Sequence, residues 1–146
     1  MKLISSAFRD GERIPKAYTG EGRNVSPPLE WNDPPDDTRS FALLCEDPDA
    51  PQEEPWVHWV AYGIPADVTA VVEGVEGLTE GKNSRGAIGY DGPMPPPGHG
   101  PHHYHFKAYA LDAPIDLEPG ASKKKFLEAV EGHVLAIAEL VGIYER

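Results

Sequence analysis

Two short segments carry most of the side chains in this sequence that could do chemistry. The first is Asp47-Pro48-Asp49-Ala50-Pro51, closely followed by Trp56 and His58. The second opens at Gly92-Pro93 and runs through His99 to His102-His103-Tyr104. In both, carboxylates or imidazoles stand at the border between a Pro/Gly-rich loop and an apolar run, where a stiff scaffold fixes side chains and leaves their tips accessible. The two segments read as halves of one polar pocket.

Three chemistries compete for these residues. In the first, His58, His102 or both, with Tyr104 and backbone N–H groups of the Gly-rich loop, donate hydrogen bonds to an oxyanion such as phosphate, and the aspartates orient the imidazoles. In the second, the same residues ligate a divalent metal, but neither a helical histidine pair nor a Cys-x-x-Cys is present. In the third, Asp47 or Asp49 supports His58 in hydrolysis. That reading lacks a nucleophile, because Ser84 sits in Lys82-Asn83-Ser84-Arg85-Gly86 without the first glycine of a nucleophile elbow. His58 and His102 are therefore assigned to the site. His99, His103, His105 and His133 are read as structural or solvated.

The elements that must position these residues are short. Pro and Gly punctuate brief apolar runs, which indicates a sheet-rich fold with strands at 2–6, 40–46, 58–64 and 103–111. In the last of these, Tyr104, Phe106, Ala108 and Ala110 share one face and His103, His105, Lys107 and Tyr109 the other. The stretch 65–82 reads as a loop with short strands. One helix is expected, with Ser122 as its N-cap and an apolar stripe of Phe126, Val130, Val134, Ile137 and Val141 ending before Gly142. Gly132, inside that stripe, costs about 1 kcal/mol against Ala and marks a close approach.

Composition bounds the rest. The 146 residues and 40% hydrophobic content suit a single domain, 1–146, with one core. A net charge of −11 argues against nucleic acid or an anionic membrane surface as a partner, since both require clustered Lys and Arg. The single Cys45 ends an apolar run and reads as an inert core thiol. No stretch has the length of a membrane span or the pattern of a signal peptide, so a cytoplasmic location without membrane insertion is expected.

Taken together, Asn24-Val25-Ser26-Pro27-Pro28-Leu29-Glu30-Trp31, Asp47-Pro48-Asp49-Ala50-Pro51 with Trp56-Val57-His58-Trp59, and Gly89-Tyr90-Asp91-Gly92-Pro93 through His102-His103-Tyr104 resemble the phosphatidylethanolamine-binding protein family. More narrowly, they resemble its prokaryotic, Raf kinase inhibitor-like branch. The resemblance covers nearly the whole chain. It implies a mainly β, antiparallel β-sandwich-like single domain, with the C-terminal helix packed on the sheet. It also implies a pocket for phosphate, phosphorylated head groups or similar anions, formed by Asp47, Asp49, Trp56, His58, Gly92, Pro93, His102 and Tyr104, with Tyr144 from the C-terminal segment. No cofactor and no metal are implied. Animal members hold Arg where His103 stands, within a His-Arg-Tyr triplet, so their partner contacts do not carry over.

The expected function is therefore binding of a small phosphate-bearing or carboxylate ligand, in a modulator of a kinase or protease as protein partner. A hydrolase using the Asp/His pair is the alternative, and a homodimer is left open. In an acidic protein such a pocket must succeed locally. With a Debye length of about 8 Å, remote exposed carboxylates are screened while donors at hydrogen-bonding distance are not. Asp47 and Asp49 would still repel a dianion, so a monoanion is favoured.

Overall fold

The computed structural model describes residues 1–146. Alternation of apolar side chains at period two builds two antiparallel sheets. A small one orders β1 (Lys2–Ile4), β2 (Leu29–Asn32) and β5 (Ala70–Val71) as β1-β2-β5. A larger one orders β6 (Thr79–Glu80), β4 (Trp56–Pro65), β3 (Ser40–Asp47), β7 (His102–Leu111) and β8 (Val134–Tyr144) as β6-β4-β3-β7-β8. A single α-helix, α1 (Lys123–Val130), packs on the larger sheet. It is too short to cross a membrane.

The central strand β3 is buried at every position, because both of its faces are covered. Phe41, Leu43 and Cys45 join Leu3, Phe8, Trp31, Phe106 and Leu140 in the core between the sheets. Ala42 and Leu44 face the other way, with Tyr62, Tyr109 and Leu111, under Phe126 and Val130 of α1. Cys45 is a free, fully enclosed thiol, as its sequence context suggests. Phe126 stacks on Tyr62 at 6.3 Å and meets Tyr109 edge-on at 5.3 Å. Burying such an aromatic is the largest single contribution a short helix can make to its own docking.

The expected helix is present but shorter than its apolar stripe. Ser122 caps it as expected, its hydroxyl accepting from Lys125 N at 3.1 Å. The helix ends at Val130, and residues 134–144 form β8, paired along most of their length with β7. The stripe of Val134, Ile137 and Val141 is only a subset of a nearly continuous apolar run rich in β-branched residues, which suits a strand. Strand β8 is the edge of the sheet, with Ala138, Leu140 and Tyr144 buried and Val134, Leu135 and Ile137 exposed. Gly132 marks no close approach. It lies at φ +82° in open space and turns the chain out of the helix. The close approach is at Gly142, where a Cβ would sit 2.4 Å from Ile14 Cγ1.

Candidate functional site

The site lies at the end of the larger sheet, where β3, β4 and β7 meet the loop that precedes β7. Asp47 ends β3 opposite Trp56, the first residue of β4. Two residues on, β4 carries a bulge: Cys45 faces Trp59 and Glu46 faces Val57, leaving His58 with no opposite number. Strict alternation would put His58 and Trp59 on opposite faces. The extra residue re-aims His58 so that its ring meets Tyr104 edge-on, at 5.1 Å between centroids. On β7, His102 and Tyr104 share the inward face with Phe106, and their rings lie 6.5 Å apart, nearly parallel.

The loop from 91 to 101 is fixed from three sides. Gly92 N donates to Asn24 Oδ1 at 2.7 Å, and a Cβ at Gly92 would lie 2.3 Å from Tyr18 O, so only glycine allows this approach. Pro93 O accepts from Gly20 N at 2.9 Å. Arg146 Nε donates to Pro95 O at 2.6 Å. The result is a cavity of about 430 Å³ in which Asp47, His58, Arg85, Asp91, His102 and Tyr104 supply the charged and titratable groups. Trp56, Gly92, the segment Ala50-Pro51-Gln52 and the loop residues Met94, Pro95 and Pro96 complete the wall.

Hydrogen bonding fixes the proton positions. His58 Nδ1 lies 2.5 Å from the Asp91 carbonyl oxygen, which can only accept, so Nδ1–H donates and Nε2 is the free nitrogen. Asp91 N returns a bond to His58 O at 3.0 Å. Burial pushes the imidazole pKa below its ordinary value, ahead of the opposing pull of the Asp91 carbonyl and the Asp47 charge. His58 is thus neutral near pH 7, with an unprotonated Nε2.

His102 is wired differently. Its Nδ1–H donates to Asp47 Oδ2 at 2.6 Å, and its Nε2 accepts from His99 Nδ1 at 2.6 Å. Asp47 Oδ1 accepts from Asp49 N at 2.7 Å, which occupies both carboxylate oxygens. Asp91 receives Asn24 Nδ2 at 3.3 Å and Arg85 Nε at 3.5 Å. Tyr104 is 1% exposed, and its hydroxyl has no protein partner yet is not sealed in. Burial, then the Asp47 charge, raises its pKa far above that of free tyrosine, so it remains a donor.

The sequence profile of the phosphatidylethanolamine-binding protein family matches residues 4–145. The chain belongs to that family. A UPF0098 protein from Methanothermobacter thermautotrophicus is 50% identical over 153 residues, spanning 100% of this chain and 99% of its own. Among solved structures, a phosphatidylethanolamine-binding protein homologue from Chlamydia trachomatis superposes with a TM-score of 0.94 at 41% identity, covering 99% of this chain and 97% of that one. YbcL from Escherichia coli gives 0.92 at 34% identity, covering 99% and 98%. These relatives place the chain in the prokaryotic branch of the phosphatidylethanolamine-binding proteins.

Of the residues singled out in the sequence for a phosphatidylethanolamine-binding protein pocket, Asp47, Trp56, His58, Gly92, His102 and Tyr104 line one cavity. Asp49, Pro93 and Tyr144 support it from outside. Asp49 faces outward and accepts from His103 N and Nδ1 at 2.8 and 2.7 Å. Pro93 anchors the loop. Tyr144 pairs with His102 across β7 and β8, and its hydroxyl donates to Glu21 Oε1 at 2.5 Å. Three participants escaped the sequence reading. His99, set aside there as structural, is the outer member of the His99–His102–Asp47 row. Asp91 clamps His58, and Arg85 brings the only guanidinium to the wall.

Ser84, weighed as a nucleophile, instead accepts from Val57 N at 2.7 Å and ties its turn to β4. Asn83 shapes the same turn by accepting from Arg85 N and Ala87 N, which is what aims Arg85 at the cavity. An Asn followed by Gly three residues later was the available turn signal.

Proposed function

We propose that this protein binds a small phosphate-bearing or carboxylate ligand in the cavity between His58 and Tyr104, and that it acts by binding rather than by turnover. The observation that carries the reading is the Tyr104 hydroxyl, a protonated donor that opens into the cavity and has no protein partner. With no protein acceptor in reach this donor is open to a ligand, so its natural complement is a ligand acceptor. Arg85 at the wall supplies the matching charge. No Ser, Thr or Cys side chain lines the cavity to serve as a nucleophile, which favours binding over the hydrolase alternative. Modulation of a kinase or protease would then be exerted by the liganded form.

Calorimetry with inorganic phosphate tests this. Tyr104→Phe should weaken binding by about 1.5 to 3 kcal/mol, the range for a hydrogen bond to a charged group. Equal affinity in wild type and variant would remove Tyr104 from the site.

A further inference from the structure

We propose that the cavity selects an anion that brings its own proton, a phosphate group with a P–OH, over an anion of equal charge and shape that has none. The inference rests on the binding reading above and names the ligand chemistry it takes.

The argument is one of complementary donors and acceptors. His58 can offer a ligand only an acceptor, because its N–H is held by the Asp91 carbonyl and its Nε2 is bare. Tyr104, the ring beside it, offers a donor with no other partner. The remaining groups facing His58 are already engaged: Asp47 by Asp49 N and His102, Asp91 by Asn24 and Arg85, and His102 by Asp47 and His99. Beside the guanidinium of Arg85, which adds charge from the rim, the two adjacent rings therefore read one donor and one acceptor on the same ligand group. An oxygen bearing a proton donates to His58 Nε2 while a neighbouring oxygen accepts from Tyr104.

A fully ionised group would instead press a lone pair against Nε2, in a wall that holds two carboxylates and one guanidinium. Inorganic phosphate and a monoprotonated phosphomonoester satisfy both positions. A phosphodiester, such as the linkage of an intact phospholipid head group, and a carboxylate at neutral pH satisfy only one.

The test compares methyl phosphate with methyl sulfate by calorimetry at pH 6. There, about half of the monoester is the monoanion with one proton, since the second ionisation falls near pH 6. Methyl sulfate matches that species in shape and charge and lacks only the proton. Methyl phosphate should bind at least about tenfold more tightly, and dimethyl phosphate, standing for a lipid diester, should track methyl sulfate. His58→Phe, which keeps a ring against Tyr104 and removes the acceptor nitrogen, should shrink the ratio to within about threefold. Tyr104→Phe should weaken both ligands and leave the ratio intact. If methyl sulfate or dimethyl phosphate binds wild type as tightly as methyl phosphate does, the proton-selective inference fails while the anion reading stands. If none of the three binds, both fail.

Discussion

Two depressions on the larger sheet differ in the opposite sense from their size. The groove between α1 and the outer face of β7 and β8 is the roomier, at about 1080 Å³ against about 430 Å³ for the cavity by His58. Its inward-facing polar groups, however, are spent on the fold, and its unpaired charges, Lys82, Lys124, Glu128 and Glu131, stand on long, unanchored side chains. Ser84 accepts from Val57 N, Ser122 caps α1, and Lys123 joins Lys107 in pairing with the buried carboxylate of Glu46. Its apolar floor joins Leu127 and Val130 of α1 to Tyr109, Val134 and Ile137 of the sheet, the seam along which the helix is docked. The cavity has less room but keeps a donor and an acceptor free on two adjacent, rigidly held rings. Unspent, fixed polarity marks a binding site better than volume does.

The contrast predicts that mutations in the two regions separate stability from binding. The largest effect belongs to the groove side. Phe126→Ala should lower unfolding free energy by about 3 to 5 kcal/mol, as for other buried aromatics cut to alanine. Phosphate affinity of the folded fraction should be unchanged. Urea denaturation paired with calorimetry checks this, and a parallel loss of affinity would mean that the two regions are coupled.

Glu46 should have a smaller, pH-dependent effect. Burial alone would raise its pKa, but hydrogen bonds and charge from Lys123 and Lys107 outweigh burial and hold it below the ordinary value. Its folded pKa therefore lies under the unfolded value of about 4.3. The stabilisation is complete above that pH and is lost as pH falls through the folded value. Glu46→Gln should cost about 1 to 2 kcal/mol at pH 7, and it should flatten the acid limb of the stability curve below about pH 4.3. An unaltered acid limb would show that the two lysines do not hold this carboxylate.

Much of this contrast was legible in the residues, and the misses have physical causes. The strands at 40–47, 56–65 and 102–111 follow from apolar runs bounded by Pro, Gly and Asp. That aspartates orient imidazoles here follows from placing both residue types at strand ends, whereas the specific pairing of His102 with Asp47 does not. Strand β2 went unseen because Pro27-Pro28 and Pro34-Pro35 leave only five residues between breakers. The C-terminal segment was misread because positions three and four apart can be found in any dense apolar run, and the turn at Gly132 was weighed as a packing feature. Period alone cannot arbitrate there; β-branched content can.

The wiring of His58 was out of reach. The expectation that it donates to an oxyanion assumed a free N–H, whereas a bulge on β4 turns the ring and the Asp91 carbonyl takes that proton. A bulge depends on how two strands register, which no single segment encodes. His99 and Arg85 were missed for the same reason, since each acts through a loop shaped by distant contacts.

The central claim is that the small cavity, and not the larger groove or the lysine-bearing surface of α1, receives the ligand. A crystal of the protein soaked in phosphate tests it most directly. The predicted result is an anion within hydrogen-bonding distance of both His58 Nε2 and the Tyr104 hydroxyl, close to Arg85. Phosphate bound only at Lys123 and Lys124, with the cavity occupied by water alone, would contradict the account.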